Sequence, residues 1–177
     1  LGVLRACVTT APSARGVAVG LVTVAVFTDV LAYSIAVPVL PHLSRQFGAS
    51  PTVMGLLFAS FGVTLFAVSV PMGAFSDRVG RRLPLVGGLL ALSASSVLFA
   101  FAPGMTWLFA ARLVQGAADA VTWVVGFALV ADLYAVEERG RVMGFVMSGS
   151  TFGFMTGPTL GGWLYETGGI ELPYLFV

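Results

Sequence analysis

Residues 52–82 read TVMGLLFASFGVTLFAVSVPMGAFSDRVGRR, a long apolar run that ends in a short, densely charged segment. The apolar part, Thr52–Phe75, is longer than the about 20 residues that an α-helix needs to cross the hydrocarbon core of a bilayer. It is also too long for a strand, and its apolar and polar residues do not alternate. Every backbone amide in hydrocarbon must be satisfied within a helix or a closed barrel, so this segment is predicted to be a transmembrane helix.

Four further stretches have the same character, and a sixth begins near Leu172. Apolar residues make up 58% of the chain and charged residues only 10%, against about 25% charged residues in a soluble domain. We therefore predict an all-α membrane protein, with an N-terminal arm at 1–16 and an incomplete six-helix bundle at 17–177 that has five complete helices and the start of a sixth. The other four complete spans are predicted at Val17–Val39, Leu83–Ala102, Thr106–Ala131 and Val142–Leu164. The predicted polar links are Pro41–Pro51, Ser76–Arg82, Pro103–Met105, Asp132–Arg141 and Tyr165–Glu171.

The basic residues predict the orientation, because cytoplasmic loops carry an excess of lysine and arginine. All nine are arginines. Seven lie in the N-terminal arm and in the second and fourth links, whereas Arg45 lies on the opposite side and Arg112 lies inside a span. The N-terminus and the even-numbered links are therefore predicted to be cytoplasmic. The arm lacks the apolar core and cleavage site of a signal peptide. Because the chain starts at Leu1 and stops within an apolar run, we expect a fragment or a truncated gene model.

Composition also argues against several classes of function. A net charge of +1 leaves no basic surface for nucleic acid. One cysteine and one histidine cannot supply a metal-ligand cluster or a nucleophile and its base, so we expect no metal, no cofactor and no enzyme activity. The histidine, His42, is expected in a polar loop. The sequence has no G-x4-G-K-S/T loop, so ATP is not the evident energy source.

Three ionisable residues are predicted at membrane depth, where such residues are costly and mark functional sites by default. They are Asp29 in the first span, and Arg112 and Asp119 in the fourth. Arg112, Gln115 and Asp119 share one helical face, where the arginine and the carboxylate could offset each other's desolvation. Asp29 then remains as a surplus carboxylate that could bind a proton or a cationic ligand, with Tyr33 one turn further on. The alternative is that all three ions form a structural salt-bridge network.

The second link has an ordered pattern, G-x3-D-R-x-G-R-R, formed by Gly73, Asp77, Arg78, Gly80, Arg81 and Arg82. Glycine at position 80 permits a tight turn with positive φ, and Asp77 could face the positive end of a helix. The fifth span repeats a glycine every four residues from Gly149 to Gly161, which predicts a close helix contact. Pro158, which should kink this helix near Phe154, and Gly162 accompany the repeat.

These motifs resemble those of the major facilitator superfamily. The second link is similar to its cytoplasmic loop motif, and Arg112-Leu113-Val114-Gln115-Gly116 is similar to its fourth-helix R-x-x-Q-G motif. Residues 144–162, with Gly153, Gly157, Pro158, Gly161 and Gly162, are similar to the fifth-helix motif of its proton-coupled antiporters. The resemblance covers nearly the whole chain. It implies the major facilitator fold, of which this chain would be the N-terminal six-helix half.

A closer resemblance is to the vesicular amine transporter and multidrug antiporter branch. Asp29, Pro38 and Pro41 are similar to that branch's acidic residue followed by two prolines, and stretches 137–144 and 163–166 are similar to its sequence around helix five. This resemblance implies that Asp29 contacts the cationic amine or a proton and that Arg112 takes part in proton coupling. It also implies that Asp77 and Arg78 help to latch the two halves. The short Pro41–Pro51 link favours a microbial or fungal relative.

The sequence therefore predicts a proton-coupled antiporter that exports small organic cations, amines or drugs by alternating access around a midplane site. The expected partners are the lipid bilayer, the cation, protons and a missing C-terminal six-helix half. A plasma membrane or bacterial inner membrane is favoured over a vesicle or vacuole membrane. Two alternatives stay open: a symporter or facilitator for sugars or other metabolites, and a truncated membrane protein that does not transport.

Overall fold

The computed structural model describes residues 12–176, apart from the side chains of residues 12–14 and 44. This part of the chain is a bundle of six helices without strands, which confirms the predicted fold class. Most of the predicted N-terminal arm lies outside the described residues. The helices are α1 Pro12–Gln46, α2 Pro51–Val79, α3 Arg82–Ala100, α4 Met105–Leu133, α5 Val136–Gly168 and α6 Glu171–Phe176.

The first helix is longer than predicted, because it continues through Pro38 and Pro41 to Gln46. Proline fixes φ near a helical value and loses only one hydrogen bond, so a long helix can contain it. The prediction that His42 lies in a loop is therefore wrong. His42 is on α1, and its Nδ1 lies 3.1 Å from the carbonyl oxygen of Pro38. At the same end of the bundle, α5 continues beyond its predicted end to Gly168.

Four of the described helices, α1 to α4, are long and apolar enough to cross a membrane. The fifth is less apolar because glycine and threonine recur along it. It nevertheless packs along α1, and the contacts advance in the same direction on both helices, from Gly149 against Thr23 to Gly161 against Ile35. The fifth helix therefore runs parallel to the first across the same depth of the bundle.

The glycine repeat of α5 is the contact surface with α1, as its spacing predicts. A Cβ atom built on Gly161 would lie 2.7 Å from the carbonyl oxygen of Ile35, and one built on Gly153 would lie 3.0 Å from that of Phe27. Gly157 is equally close to Ser34. Gly162 has open space on its Cβ side, so it takes no part in this contact. The first and fifth helices thus meet backbone to backbone.

A second pair of helices is joined in the same way. Gly116 of α4 lies against the carbonyl group of Phe61 in α2, so closely that an added Cβ would overlap the carbonyl oxygen. The third helix packs on the other side of α4, where Gly88 faces Val121. The bundle is therefore built on two backbone contacts, α1 with α5 and α2 with α4, and the predicted ionisable residues lie on α1 and α4.

Candidate functional site

Arg112 lies at the centre of the bundle and is completely buried. Its Nη1 donates a hydrogen bond of 2.8 Å to Oε1 of Gln115. Four aromatic rings surround the guanidinium, with centroids 5.0 to 5.8 Å from its central carbon. Its Nε and Nη2 have no hydrogen-bond partner among residues 12–176. The rings belong to Tyr33, Phe58, Phe61 and Phe99.

Arg112 and Asp119 do not form the ion pair that their shared face suggests. The ion pairs between described side chains are those of Arg81. Seven residues of α-helix rise by about 10 Å, which is beyond the reach of a direct pair unless both side chains lean together. The guanidinium instead donates a hydrogen bond to Gln115, one turn away, and packs against the aromatic rings. Cation–π contacts therefore replace the expected salt bridge.

Asp119 lies beside Asp29, across the contact between α1 and α4. The two carboxyl groups are close enough to interact electrostatically, and the indole of Trp123 lies next to both. Asp29 is 1% exposed, and neither of its oxygens has a hydrogen-bond partner within the described part of the chain. A buried polar group without a partner is uncommon and marks this carboxyl pair as the candidate site.

The carboxyl pair borders a cavity of about 210 Å³. Asp119 is the one charged residue in its lining, whereas the buried Asp29 is not part of the lining. Aromatic rings with their negative faces attract cations, and a carboxylate beside such rings suits an organic cation better than an anion. The lining residues are Val30, Tyr33, Phe61, Asp119, Trp123 and Phe154. No three His, Cys, Asp or Glu side chains in residues 12–176 come together as a metal site.

The second candidate region is the turn between α2 and α3, which the sequence predicts to be cytoplasmic. Gly80 has φ of +92°, as its position in a tight turn predicts. Arg81 follows it and binds three side chains from there. Its Nη1 lies 2.6 Å from Oδ1 of Asp77 and 2.6 Å from Oγ of Ser76, and its Nε donates to Oδ2 of Asp132 at 2.8 Å. The hydrogen bond to Asp132, aided by Asp77, raises the pKa of the Arg81 guanidinium.

The turn thus ties the α2–α3 junction to the end of α4, and Asp77 pairs with Arg81 rather than capping α3. Arg78 and Arg82 are exposed, and neither has a side-chain partner among the described residues. Gly73 faces Val124 of α4, with room for a Cβ. Pro158 is exposed on α5, next to the buried Gly157 of the glycine contact.

Apart from Tyr33, the sequence did not single out the aromatic residues of the site, nor did it single out Asp132. Phe61, Trp123 and Phe154 lie within apolar spans, where an aromatic side chain is ordinary. The available signal was position: Trp123 follows Asp119 by one turn, and Phe154 follows Gly153 on α5. Asp132 sits at the end of α4, against Arg81 of the arginine-rich turn. The place of each of these residues in the site follows only from the packing of the helices.

Comparisons with known proteins agree with this architecture. Residues 11–177 match the Major Facilitator Superfamily. The chain is 37% identical over 163 residues to a probable vesicular acetylcholine transporter of Danio rerio, covering 87% of this chain and 33% of that protein. It is 34% identical over 155 residues to an uncharacterized MFS-type transporter of Schizosaccharomyces pombe, covering 84% and 35%. The human vesicular acetylcholine transporter is 42% identical over 123 residues, covering 69% and 23%. The chain therefore spans about a third of the length of such relatives.

Proposed function

Because this chain belongs to the major facilitator superfamily, we propose that it forms part of a transporter that exchanges a small organic cation for protons. The observation that supports this most directly is the cavity whose lining combines Asp119 with the rings of Tyr33, Phe61 and Trp123. A desolvated cation–π contact contributes up to about 2 kcal/mol, and the carboxylate adds charge complementarity. Relatives that are named as acetylcholine transporters would carry a quaternary ammonium ion, which this lining suits.

In this proposal Arg112 supplies a fixed positive charge inside the bundle. The four rings and Gln115 hold the guanidinium in place, and removing one partner of a buried charge is strongly destabilising. Arg112 influences proton binding at the carboxyl pair through its field rather than through a direct bond. Tyr33 and Phe61 touch both Arg112 and the cavity, so they would separate the guanidinium from a cation bound in the cavity.

The cytoplasmic turn is proposed to gate the transporter together with the glycine contact of α5. The network of Asp77, Arg81 and Asp132 joins the α2–α3 turn to α4, and Arg78 and Arg82 remain exposed for contacts with a second half of the protein. Gly80 keeps the turn tight. The N-terminus is proposed to be cytoplasmic, and a plasma membrane or bacterial inner membrane remains the favoured location.

The test is uptake of labelled tetramethylammonium into proteoliposomes that contain the full-length protein and an acidic interior. Uptake should depend on the pH gradient, stop when a protonophore collapses it, and be lost in Asp119→Asn. Glu171→Gln, an exposed carboxylate at the start of α6, serves as the matched control and should transport like the wild type. Uptake that survives collapse of the gradient would contradict proton coupling, and full activity of Asp119→Asn would exclude this cavity as the site.

A further inference from the structure

The two buried carboxyl groups differ in their access to the cavity. Asp119 forms part of the cavity wall, whereas Asp29 does not line the cavity and is 1% exposed. Both oxygens of Asp29 lack hydrogen-bond partners among the described residues, although the Asp119 carboxyl lies next to them. Two adjacent carboxyl groups cannot both be ionised at low cost, and such pairs share a proton. A proton held between the two carboxyl groups would supply the hydrogen bond that Asp29 lacks in this arrangement.

Away from the helix ends, the one cationic side chain among the described residues is Arg112 of α4, two turns from Asp119 and surrounded by rings. The phenols of the interior are Tyr33 on α1 and the buried Tyr174 on α6, which is stacked on Phe99. The remaining ionisable residues of α1, α4 and α6 are nearer the ends of those helices: Arg15, His42, Arg45, Asp132 and Glu171. The ionisable residues of α2, α3 and α5 are near the ends of those helices: Asp77, Arg78, Arg82, Glu137, Glu138, Arg139, Arg141, Tyr165 and Glu166. A pair that carries one proton has one negative charge, which balances Arg112.

We propose that Asp29 and Asp119 hold a single shared proton, and that the transported cation displaces it by binding to Asp119. This inference rests on the proposed cation exchange and deepens it, because it assigns a different role to each of the two carboxyl groups. Asp119 is the binding residue, since it lines the cavity. Asp29 is a positioning residue that acts through Asp119 and makes binding depend on proton release.

The charge balance explains why one proton leaves for each cation. Before binding, the pair carries one negative charge and Arg112 one positive charge. The cation then brings a second positive charge, and the shared proton leaves to water along the cavity, so that two carboxylates face two cations. The buried charge stays at zero in both states, which avoids the large cost of an unbalanced charge in a medium of low dielectric constant.

The experiment measures protons released per bound tetramethylammonium by calorimetry of the full-length protein in buffers of different ionisation enthalpy. The wild type should release one proton per cation. Asp29→Asn should still bind the cation, more weakly than the wild type because one buried positive charge is then unbalanced, and should release no proton, because its amide stands in for the protonated acid. Asp119→Asn should lose binding at least tenfold. Glu171→Gln should behave like the wild type, and helical circular dichroism checks the fold of each variant.

Proton release by Asp29→Asn equal to that of the wild type would overturn the proposal, as would wild-type affinity in Asp119→Asn. A second measurement does not depend on the cation. The infrared band of the protonated carboxyl group should titrate at a pH that changes when Asp119 is replaced by asparagine. An unchanged titration would mean that Asp29 holds its proton alone. If the wild type binds no tetramethylammonium but the infrared curve does change, the carboxyl pair stands and the proposed cation exchange fails.

Discussion

The contact between α1 and α5 can be tested by adding one methyl group to either of two adjacent glycines. Gly161→Ala would place a Cβ atom 2.7 Å from the carbonyl oxygen and 3.0 Å from the Cα of Ile35. Both are backbone atoms, so no side-chain rotation can relieve the overlap. Gly162→Ala would place its Cβ in open space and provides the matched control on the same turn of the same helix.

The expected magnitude follows from two opposing terms. Overpacking costs about 1–3 kcal/mol, whereas replacing glycine by alanine within a helix recovers up to about 1 kcal/mol. Gly161→Ala should therefore lower the free energy of unfolding by about 0–2 kcal/mol, and Gly162→Ala should leave it unchanged or raise it slightly. The difference between the two variants cancels the helix term and should be about 1–3 kcal/mol.

The measurement is unfolding of the purified protein by sodium dodecyl sulfate in mixed micelles, followed by helical circular dichroism. A third variant, Gly157→Ala, should behave like Gly161→Ala, since its Cβ would meet Ser34. Equal stability of Gly161→Ala and Gly162→Ala would show that α1 and α5 are further apart than the structure has them, and would refute the argument for a backbone contact.

Two further predictions concern the turn between α2 and α3 and the orientation of the chain in the membrane. Asp132→Asn should lower transport several-fold while changing the free energy of unfolding by less than about 1 kcal/mol, because exposed ion pairs stabilise little. Glu137→Gln, exposed at the same end of the bundle, is the control. Unchanged transport in Asp132→Asn would mean that the network of Arg81 does not gate the transporter. Cysteines at Val79 and Gln46, introduced after Cys7→Ser, should react with an impermeant reagent from opposite sides of the membrane, and labelling from one side alone would contradict the predicted topology.

The positions of the helices could be predicted from the sequence because hydrocarbon imposes a strict length and composition. The start of α6 near Leu172 and the positive φ of Gly80 followed from the same local rules. The extension of α1 to Gln46 did not, because Pro41 is a breaker in isolation but is tolerated inside a long helix that neighbouring helices support. Local sequence therefore gives the number of helices better than their ends.

The site was only partly predictable, and the reason is again packing. Asp29, Arg112 and Asp119 stand out because charge is rare at membrane depth, and the structure does bring Asp29 and Asp119 together. Their partners could not be read from spacing along one helix. Arg112 and Asp119 share a face of α4, yet Asp119 lies beside a residue on α1 and Arg112 lies among rings from three other helices. Such pairings depend on how helices distant in sequence are arranged.

The two backbone contacts described above divide the bundle into two mechanical units. Gly153 and Gly157 key α5 into the turns of α1 on either side of Asp29, and Gly116 keys α4 into α2 near Asp119. Sliding within either unit would require a jump of about one helical turn, or 5.4 Å. At the interface between the two units the contacts are made by side chains, which can adjust. Asp29 belongs to the unit of α1 and α5, and Asp119 belongs to the unit of α2 and α4. A shear between the two units would therefore change the separation of Asp29 and Asp119, and with it the proton affinity of the carboxyl pair, because the interaction of two carboxyl groups depends on their distance.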